Sequence, residues 1–299
     1  MDVIYFNSYD KSKSIKVYIV TYKAKEDLNN NLKTLFASDL ITSGQYTYEI
    51  NIINNHSNFH LAEEFQDKVN VLHNVVRPDF STGHLSRDWN CAIINGFQDL
   101  NNPDCDILVT SQDDVLWQKD WVSKLIEYHK KYTFISFGPG DCVCSYLPEA
   151  VKKVGLWDER FCNIGYQEAD YFLRQTLYNK DSASINDYMH FRLHNSLSSV
   201  KPRENIDRSM EDFTIIYVPG RDNNRDVEHM LSVEYHNVSL KMFQRKYNCL
   251  YPEHWEKYNT QKRKIYSHQP ILYPYFEKDC DYYSTPKYRK FRWFFSVAK

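Results

Sequence analysis

Glycine is scarce in this chain, 8 in 299 residues, and none falls where the first β-like run ends, in Thr21-Tyr-Lys-Ala-Lys25. A glycine-rich phosphate cradle at that point is therefore absent. The seven cysteines, Cys91, Cys105, Cys142, Cys144, Cys162, Cys249 and Cys280, are odd in number and lack CxxC spacing. That excludes a disulfide framework, and Cys142-Val-Cys144 is too tight for a zinc knuckle, so reduced structural thiols are expected. No stretch has the roughly 18 apolar residues a membrane helix needs. Met1 to Lys16 lacks the apolar core of a signal peptide, so the expectation is a soluble, cytoplasmic protein with no transmembrane segment. Lys+Arg 37 against Asp+Glu 39 leaves no basic excess, which argues against nucleic acid as a partner.

What is present is ample apolar and aromatic material, 42% and 16%, enough for a packed core and against global disorder. The 24 tyrosines are read as compositional bias, though surface tyrosines also suit sugar contacts. Strand and helix signals alternate. Val17-Tyr-Ile-Val20 reads as a first strand over Lys16 to Thr21, and Leu28, Leu32, Leu35 and Phe36 recur at helical spacing. Tyr48 to Ile53 is a second strand ending in the polar turn Asn54-Asn-His-Ser57, and Val69 to Leu72 a third. Trp89, Ile93, Ile94 and Phe97 mark the next helix.

The most informative stretch follows, Asp106-Ile-Leu-Val-Thr-Ser-Gln-Asp-Asp-Val115, an apolar strand ending in two adjacent carboxylates. Open α/β sheets place ligands past the carboxyl ends of their strands. Paired like charges there call for neutralisation, and a hard divalent cation bridging to phosphates supplies it with one or two carboxylates. The alternative is a solvated acidic turn. Downstream, Asp120 is placed to cap a helix bearing Trp121, Leu125 and Ile126. Phe134 to Phe137 is another strand, closed by Gly138-Pro-Gly140, and Pro148 and Gly155 bracket a short helix.

Gly155-Leu-Trp-Asp-Glu-Arg-Phe161 then leads to Gly165-Tyr-Gln-Glu-Ala-Asp170 and a helix from about Gln167 to Leu177. Glu168 and Asp170 lie near its start, where the helix dipole favours negative charge, and Arg174 is spaced to pair with Asp170 on the helix surface. Beyond Lys201 the punctuation weakens. Val227 to Tyr247 has helical character, Tyr273 to Lys299 looks irregular, and the basic-aromatic run from Tyr288 to Phe295 is expected to dock on its own domain.

In this order, the motifs resemble the GT-A fold nucleotide-sugar glycosyltransferases, nearest to the inverting family 2 and its rhamnosyltransferase-like relatives, over roughly residues 15 to 200. The resemblance implies an α/β fold: a Rossmann-like, mostly parallel sheet flanked by helices. It implies a glycosyltransferase domain over 1–200 and leaves 201–299 as a mainly helical or irregular extension on the acceptor side or in assembly. By position, Thr21, Tyr22, Asn55 and Ser57 match the base and ribose contacts, Arg87 and Asn90 the helix beside the diphosphate, and Ser111 and Gln112 the start of the Asp-x-Asp segment. Asp113 or Asp114 matches its metal ligand, for Mn²⁺ or Mg²⁺, with His194 beyond and His190 as competitor. Gln167-Glu-Ala-Asp170 stands where the family reads Glu-Asp-x-Asp, so Glu168 takes the base position, one methylene longer, with Asp170 sharing the role or not. The implied activity is metal-dependent, inverting sugar transfer from a nucleotide diphosphate donor, UDP by default, to a hydroxyl of a glycan or glycoprotein acceptor. A retaining transferase, a sugar nucleotidyltransferase and a non-catalytic carbohydrate-binding relative are the alternatives.

Overall fold

The computed structural model describes residues 12–22, 25–74, 85–130, 132–137, 141–161, 166–179, 215–217 and 238–248. The strands are β1 (Ser14–Thr21), β2 (Thr47–Asn54), β3 (Asn70–His73), β4 (Ile107–Gln112), β5 (Val115–Trp117), β6 (Phe134–Phe137), β7 (Val143–Tyr146) and β8 (Ile215–Tyr217). The helices are α1 (Lys25–Phe36), α2 (Asp39–Thr42), α3 (Glu63–Gln66), α4 (Leu85–Phe97), α5 (Trp121–His129), α6 (Pro148–Val154) and α7 (Tyr166–Asn179). A further helix, α8, spans residues 238–247.

Six strands form one sheet in the order β3-β2-β1-β4-β7-β6. β1 pairs in parallel with both β2 and β4, and β2 with β3. β7 runs antiparallel to both β4 and β6 and so is the one reversed strand of this sheet. The expected mostly parallel sheet flanked by helices is what the chain builds. The order reverses at β1, because the chain moves outward to β2 and β3 and then returns to β4 on the other side. That makes the carboxyl ends of β1 and β4 a topological switch point, where doubly wound sheets open a crevice.

β1 is buried along nearly its whole length, as a central strand covered on both faces must be. Val17 and Ile19 enter one core with α1 and α5; Tyr18 and Val20 enter the other with α4, α6 and α7. Gly96 lets α4 lie close on the sheet, since a Cβ there would collide with the Leu108 side chain. Pro148 opens α6 and Gly155, at φ 86°, closes it, as their positions imply. α5 departs from the expected capping: Asp120 occupies the N-cap position but makes no capping bond. Asp39 of α2 takes that role, accepting the Val122 and Ser123 N–H groups at 3.0 and 2.8 Å. A carboxylate arriving from another helix reaches those donors, while Asp120 pairs with Lys124 instead.

Two pieces of the stretch beyond residue 200 join this body. β8 pairs antiparallel with β5, and α8 buries Phe243 and Tyr247 in the core with Phe161, Tyr166 and Tyr171. The carboxyl-terminal run Tyr288 to Phe295 lies outside the described residues. No helix among the described residues is long and apolar enough to cross a membrane.

Candidate active site

Asp113 and Asp114 follow β4 directly, and both are buried, at 2% and 1% exposure. Asp113 Oδ2 accepts the backbone N–H of Tyr22 at 3.4 Å, which ties the ends of β4 and β1 together. Tyr22 is itself buried and meets His56 edge to face at 5.2 Å between ring centres. Burying two neighbouring carboxylates is costly without compensating donors or cations. Position, charge and burial therefore agree: this is a built acidic site, not a solvated turn.

At the neighbouring β2 end, the Asn55 N–H donates to the Thr21 carbonyl at 3.1 Å, and both side chains are buried. Asn55 Nδ2 donates to Asp88 Oδ2 at 2.8 Å, and Asn74 Nδ2 donates to Asp88 Oδ1 at 3.0 Å. Because Asp88 is an acceptor, it fixes which way the Asn55 amide faces and leaves Oδ1 as an acceptor. That oxygen is buried and has no hydrogen-bond partner among the described residues. Nε and Nη2 of Arg87, in the first turn of α4, are buried and likewise lack hydrogen-bond partners among the described residues. Ser57 is exposed at the same turn.

Asn90 is placed differently from the donor-contact expectation. Its Oδ1 accepts the Trp157 N–H at 2.8 Å, and its Nδ2 donates to the Trp157 carbonyl and to Glu159 Oε1 at 3.0 and 2.8 Å. The amide is thus a latch on the 155–161 turn. Trp157 in turn stacks on Tyr171 of α7, with ring centres 4.2 Å apart and an interplanar angle of 3°. Gly155-Leu-Trp-Asp-Glu-Arg-Phe161 acts here as the seat of the acidic helix.

On that helix the two acidic residues part company. Asp170 is fully buried, and its pairing with Arg174 lies inside the protein and not on the helix surface, because α8 covers that face. Asp170 Oδ2 accepts Arg174 Nε at 2.9 Å, while Oδ1 takes the Tyr247 hydroxyl and Lys246 Nζ, each at 2.5 Å. Lys246 also reaches Asp158 at 2.8 Å. Burial pushes the Asp158 carboxyl up, but Arg160 and Lys246 outweigh it and hold it well below the usual carboxylate range. Glu168, two residues earlier, is half-buried and lies outside this ion network. Its carboxyl bears on that of Asp141 and helps to lower the Asp141 pKa.

Asp141 was not singled out from the sequence. It follows Gly138-Pro-Gly140, just past the carboxyl end of β6, and is 2% exposed. Its Oδ2 accepts Trp89 Nε1 at 2.7 Å and Gln167 Nε2 at 3.0 Å, and its Oδ1 accepts Gln112 Nε2 at 3.2 Å. Burial raises its pKa, and Trp89, Gln167 and Glu168 only partly offset that. The signal for it was present: an acid directly after Gly138-Pro-Gly140, the sequence that follows the apolar run Phe134 to Phe137.

The described site therefore runs without a break from Tyr22 through Asp113 and Gln112 to Asp141 and Gln167, the residue before Glu168. Ser111, buried on β4, spends its hydroxyl on the Gln112 carbonyl at 2.8 Å and serves the strand end. His194 and His190 lie outside the described residues. For a divalent cation, no cluster of three or more His, Cys, Asp or Glu occurs among the described residues. The donor set still fits Mn²⁺ or Mg²⁺, since such ions are held by one or two carboxylates plus substrate phosphates, and Asp113 and Asp114 are hard oxygen donors.

No protein-family model matches the chain, and no curated protein matches it. Solved structures do. Residues 1–349 of Staphylococcus aureus TarS in complex with UDP match at 10% identity and TM-score 0.40, covering 54% of this chain and 55% of that one. A mannosyltransferase from Pyrobaculum calidifontis with GDP-Man and Mn²⁺ matches at 12% identity and TM-score 0.37, covering 55% and 52%. A Drosophila beta-1,4-galactosyltransferase 7 variant with manganese, UDP-Gal and xylobiose matches at 14% identity and TM-score 0.40, covering 72% and 74%. The chain spans about half the length of the first two.

Proposed function

We propose that this chain is a metal-dependent, inverting glycosyltransferase that moves a sugar from a nucleotide diphosphate, UDP favoured, to a hydroxyl of a glycan acceptor. The observation that carries the reading is the pair of buried carboxylates, Asp113 and Asp114, at the β1/β4 switch point. Groups at the neighbouring β2 end and the start of α4 that lack hydrogen-bond partners among the described residues complement such a donor. Asn55 Oδ1 offers an acceptor to the imino N–H of uracil, and Arg87 offers buried N–H donors to a diphosphate. Tyr22 and His56 supply ring surface beside the strand end.

Asp113 and Asp114 would hold Mn²⁺ or Mg²⁺, whose Lewis acidity neutralises charge on the departing diphosphate. Glu168, at the entrance of α7, takes the proton of the acceptor hydroxyl as its oxygen bonds to the anomeric carbon. The electron pair of the cleaved bond leaves with the nucleotide diphosphate. A base acting from the acceptor side means inversion at carbon. Asp170 takes no part, because Arg174, Lys246 and Tyr247 occupy its oxygens.

The test is thermal unfolding with UDP, GDP, CDP and dTDP, each with and without Mn²⁺. At about a hundred times the dissociation constant, a ligand adds about 2.7 kcal/mol, several degrees in a domain of this size. A Mn²⁺-dependent shift with UDP, lost in Asp113→Asn, is the expected result. No shift with any nucleotide refutes the donor site.

A further inference from the structure

Gln167 lies in the first turn of α7, directly before Glu168, and is 1% exposed. The two ends of its amide differ. Nε2 donates to Asp141 Oδ2 at 3.0 Å, while Oε1 is buried and has no hydrogen-bond partner among the described residues. Asp141 decides that orientation. Its Oδ2 also takes Trp89 Nε1 at 2.7 Å, and an indole N–H can only donate. That oxygen is therefore an acceptor whatever the protonation of the carboxyl, and it holds the Gln167 amino group toward itself. Oε1 is left as a fixed acceptor. A buried acceptor without a donor costs stability, so it calls for a group that supplies one.

The same device stands at the β2 end, where Asp88 takes Asn55 Nδ2 at 2.8 Å and leaves Oδ1 unpaired among the described residues. The buried amides of Asn31 and Asn90, in contrast, are bonded through both faces. Position indicates what the Gln167 acceptor would meet. Asp141 also accepts Gln112 Nε2 at 3.2 Å, and the Gln112 N–H donates to the Cys142 carbonyl at 2.8 Å. Gln112 directly precedes Asp113, as Gln167 directly precedes Glu168. Residues 141 and 142 thus tie the strand end that would carry the metal to the helix that would carry the base. In the transferase reading, on which this inference rests, the transferred sugar lies between those two. We propose that Gln167, turned by Asp141, is a sugar subsite: its Oε1 accepts a hydroxyl of the sugar on the nucleotide donor. The ligand class is a hydroxyl-bearing sugar, and the contact reads the presence of that hydroxyl.

The experiment is thermal titration of wild type and variants with UDP and with UDP-glucose, UDP-galactose and UDP-xylose, all with Mn²⁺. Gln167→Met keeps the length of the side chain and removes both amide atoms. It should weaken the best-bound UDP-sugar about 10-fold, the worth of one hydrogen bond, and leave the UDP dissociation constant within about twofold. Asp141→Leu removes the acceptor that turns Gln167 and should weaken the same UDP-sugar by a similar factor. The double variant should lose no more than either single one, because both changes remove one contact. A Gln167→Met protein that binds the UDP-sugar as wild type does overturns the proposal. Equal weakening of UDP and UDP-sugar, which marks a structural role, overturns it too, as does a double variant whose losses multiply. If Asp141→Leu does not fold, Gln167→Met decides alone. A wild type that binds UDP but none of the UDP-sugars refutes the sugar subsite only. One that does not bind UDP refutes the transferase reading itself, and the subsite with it.

Discussion

Replacing Asp170 with Asn should cost far more stability than replacing Glu168 with Gln, although both lie in the same two turns of α7. Asp170 is fully buried and neutralises Arg174, itself only 4% exposed, while also accepting from Lys246 and Tyr247. An amide there keeps the shape and removes the charge, leaving a guanidinium in the core without an anionic partner on its own helix. Breaking one side of a buried ion pair typically costs about 3–5 kcal/mol. At about 2–4 °C per kcal/mol for a domain of this size, the apparent Tm should fall by roughly 6–20 °C. Glu168 is half-buried and outside that network, so Glu168→Gln should stay within about 2 °C of wild type while losing transfer. Differential scanning fluorimetry of the two variants side by side suffices. Equal shifts, or an Asp170→Asn variant as stable as wild type, would refute the assignment of the two carboxylates to separate roles.

Two further outcomes follow from the packing. His129 Nδ1 meets the Tyr132 carbonyl at 2.9 Å and so carries the proton, leaving Nε2 to accept the Ser145 hydroxyl at 2.7 Å; burial lowers its pKa to about 4. The unfolded chain then binds more protons than the folded one between pH 4 and 6.5, so stability should rise with pH across that window by up to about 3 kcal/mol, and His129→Gln should flatten that rise in urea titrations. Gly96→Ala, which in an open helix gains about 1 kcal/mol, should instead destabilise by about 1–3 kcal/mol, because its methyl meets Leu108 beneath α4; an unchanged urea midpoint would show the approach to be looser than described.

The central strands were legible because burial on both faces makes them continuous apolar runs: β1 and β4 stand where Val17 to Val20 and Ile107 to Val109 point. The acidic end of β4 was equally readable. β5 and β7 were not, since Val-Leu-Trp and Val-Cys-Ser-Tyr are too short to show a period, and their pairing is decided by β8 and by β4 and β6. Asp120 stood at the right place for a cap, yet the groups it was meant to satisfy are bonded by Asp39, more than 80 residues earlier. The same limit hid Asp141, whose partners Trp89, Gln112 and Gln167 are 52, 29 and 26 residues away. It also misplaced Asp170–Arg174 on the surface, because i,i+4 spacing gives the pairing but not what lies over it.

The bond from Tyr247 to Asp170 spans 77 residues, and it sets an order in time. All strands of the large sheet precede residue 147, so they leave the ribosome well before α8 does. At about 5–20 residues per second, several seconds pass in which α7 exists without Lys246 or Tyr247 to meet its buried acid. The crevice between β1 and β4 can close early, but the buried Asp170 face of the helix carrying Glu168 is completed only when the distant α8 arrives. If the chain is the transferase proposed above, nucleotide binding and sugar transfer would mature at different moments in the life of a new chain, the second waiting on α8.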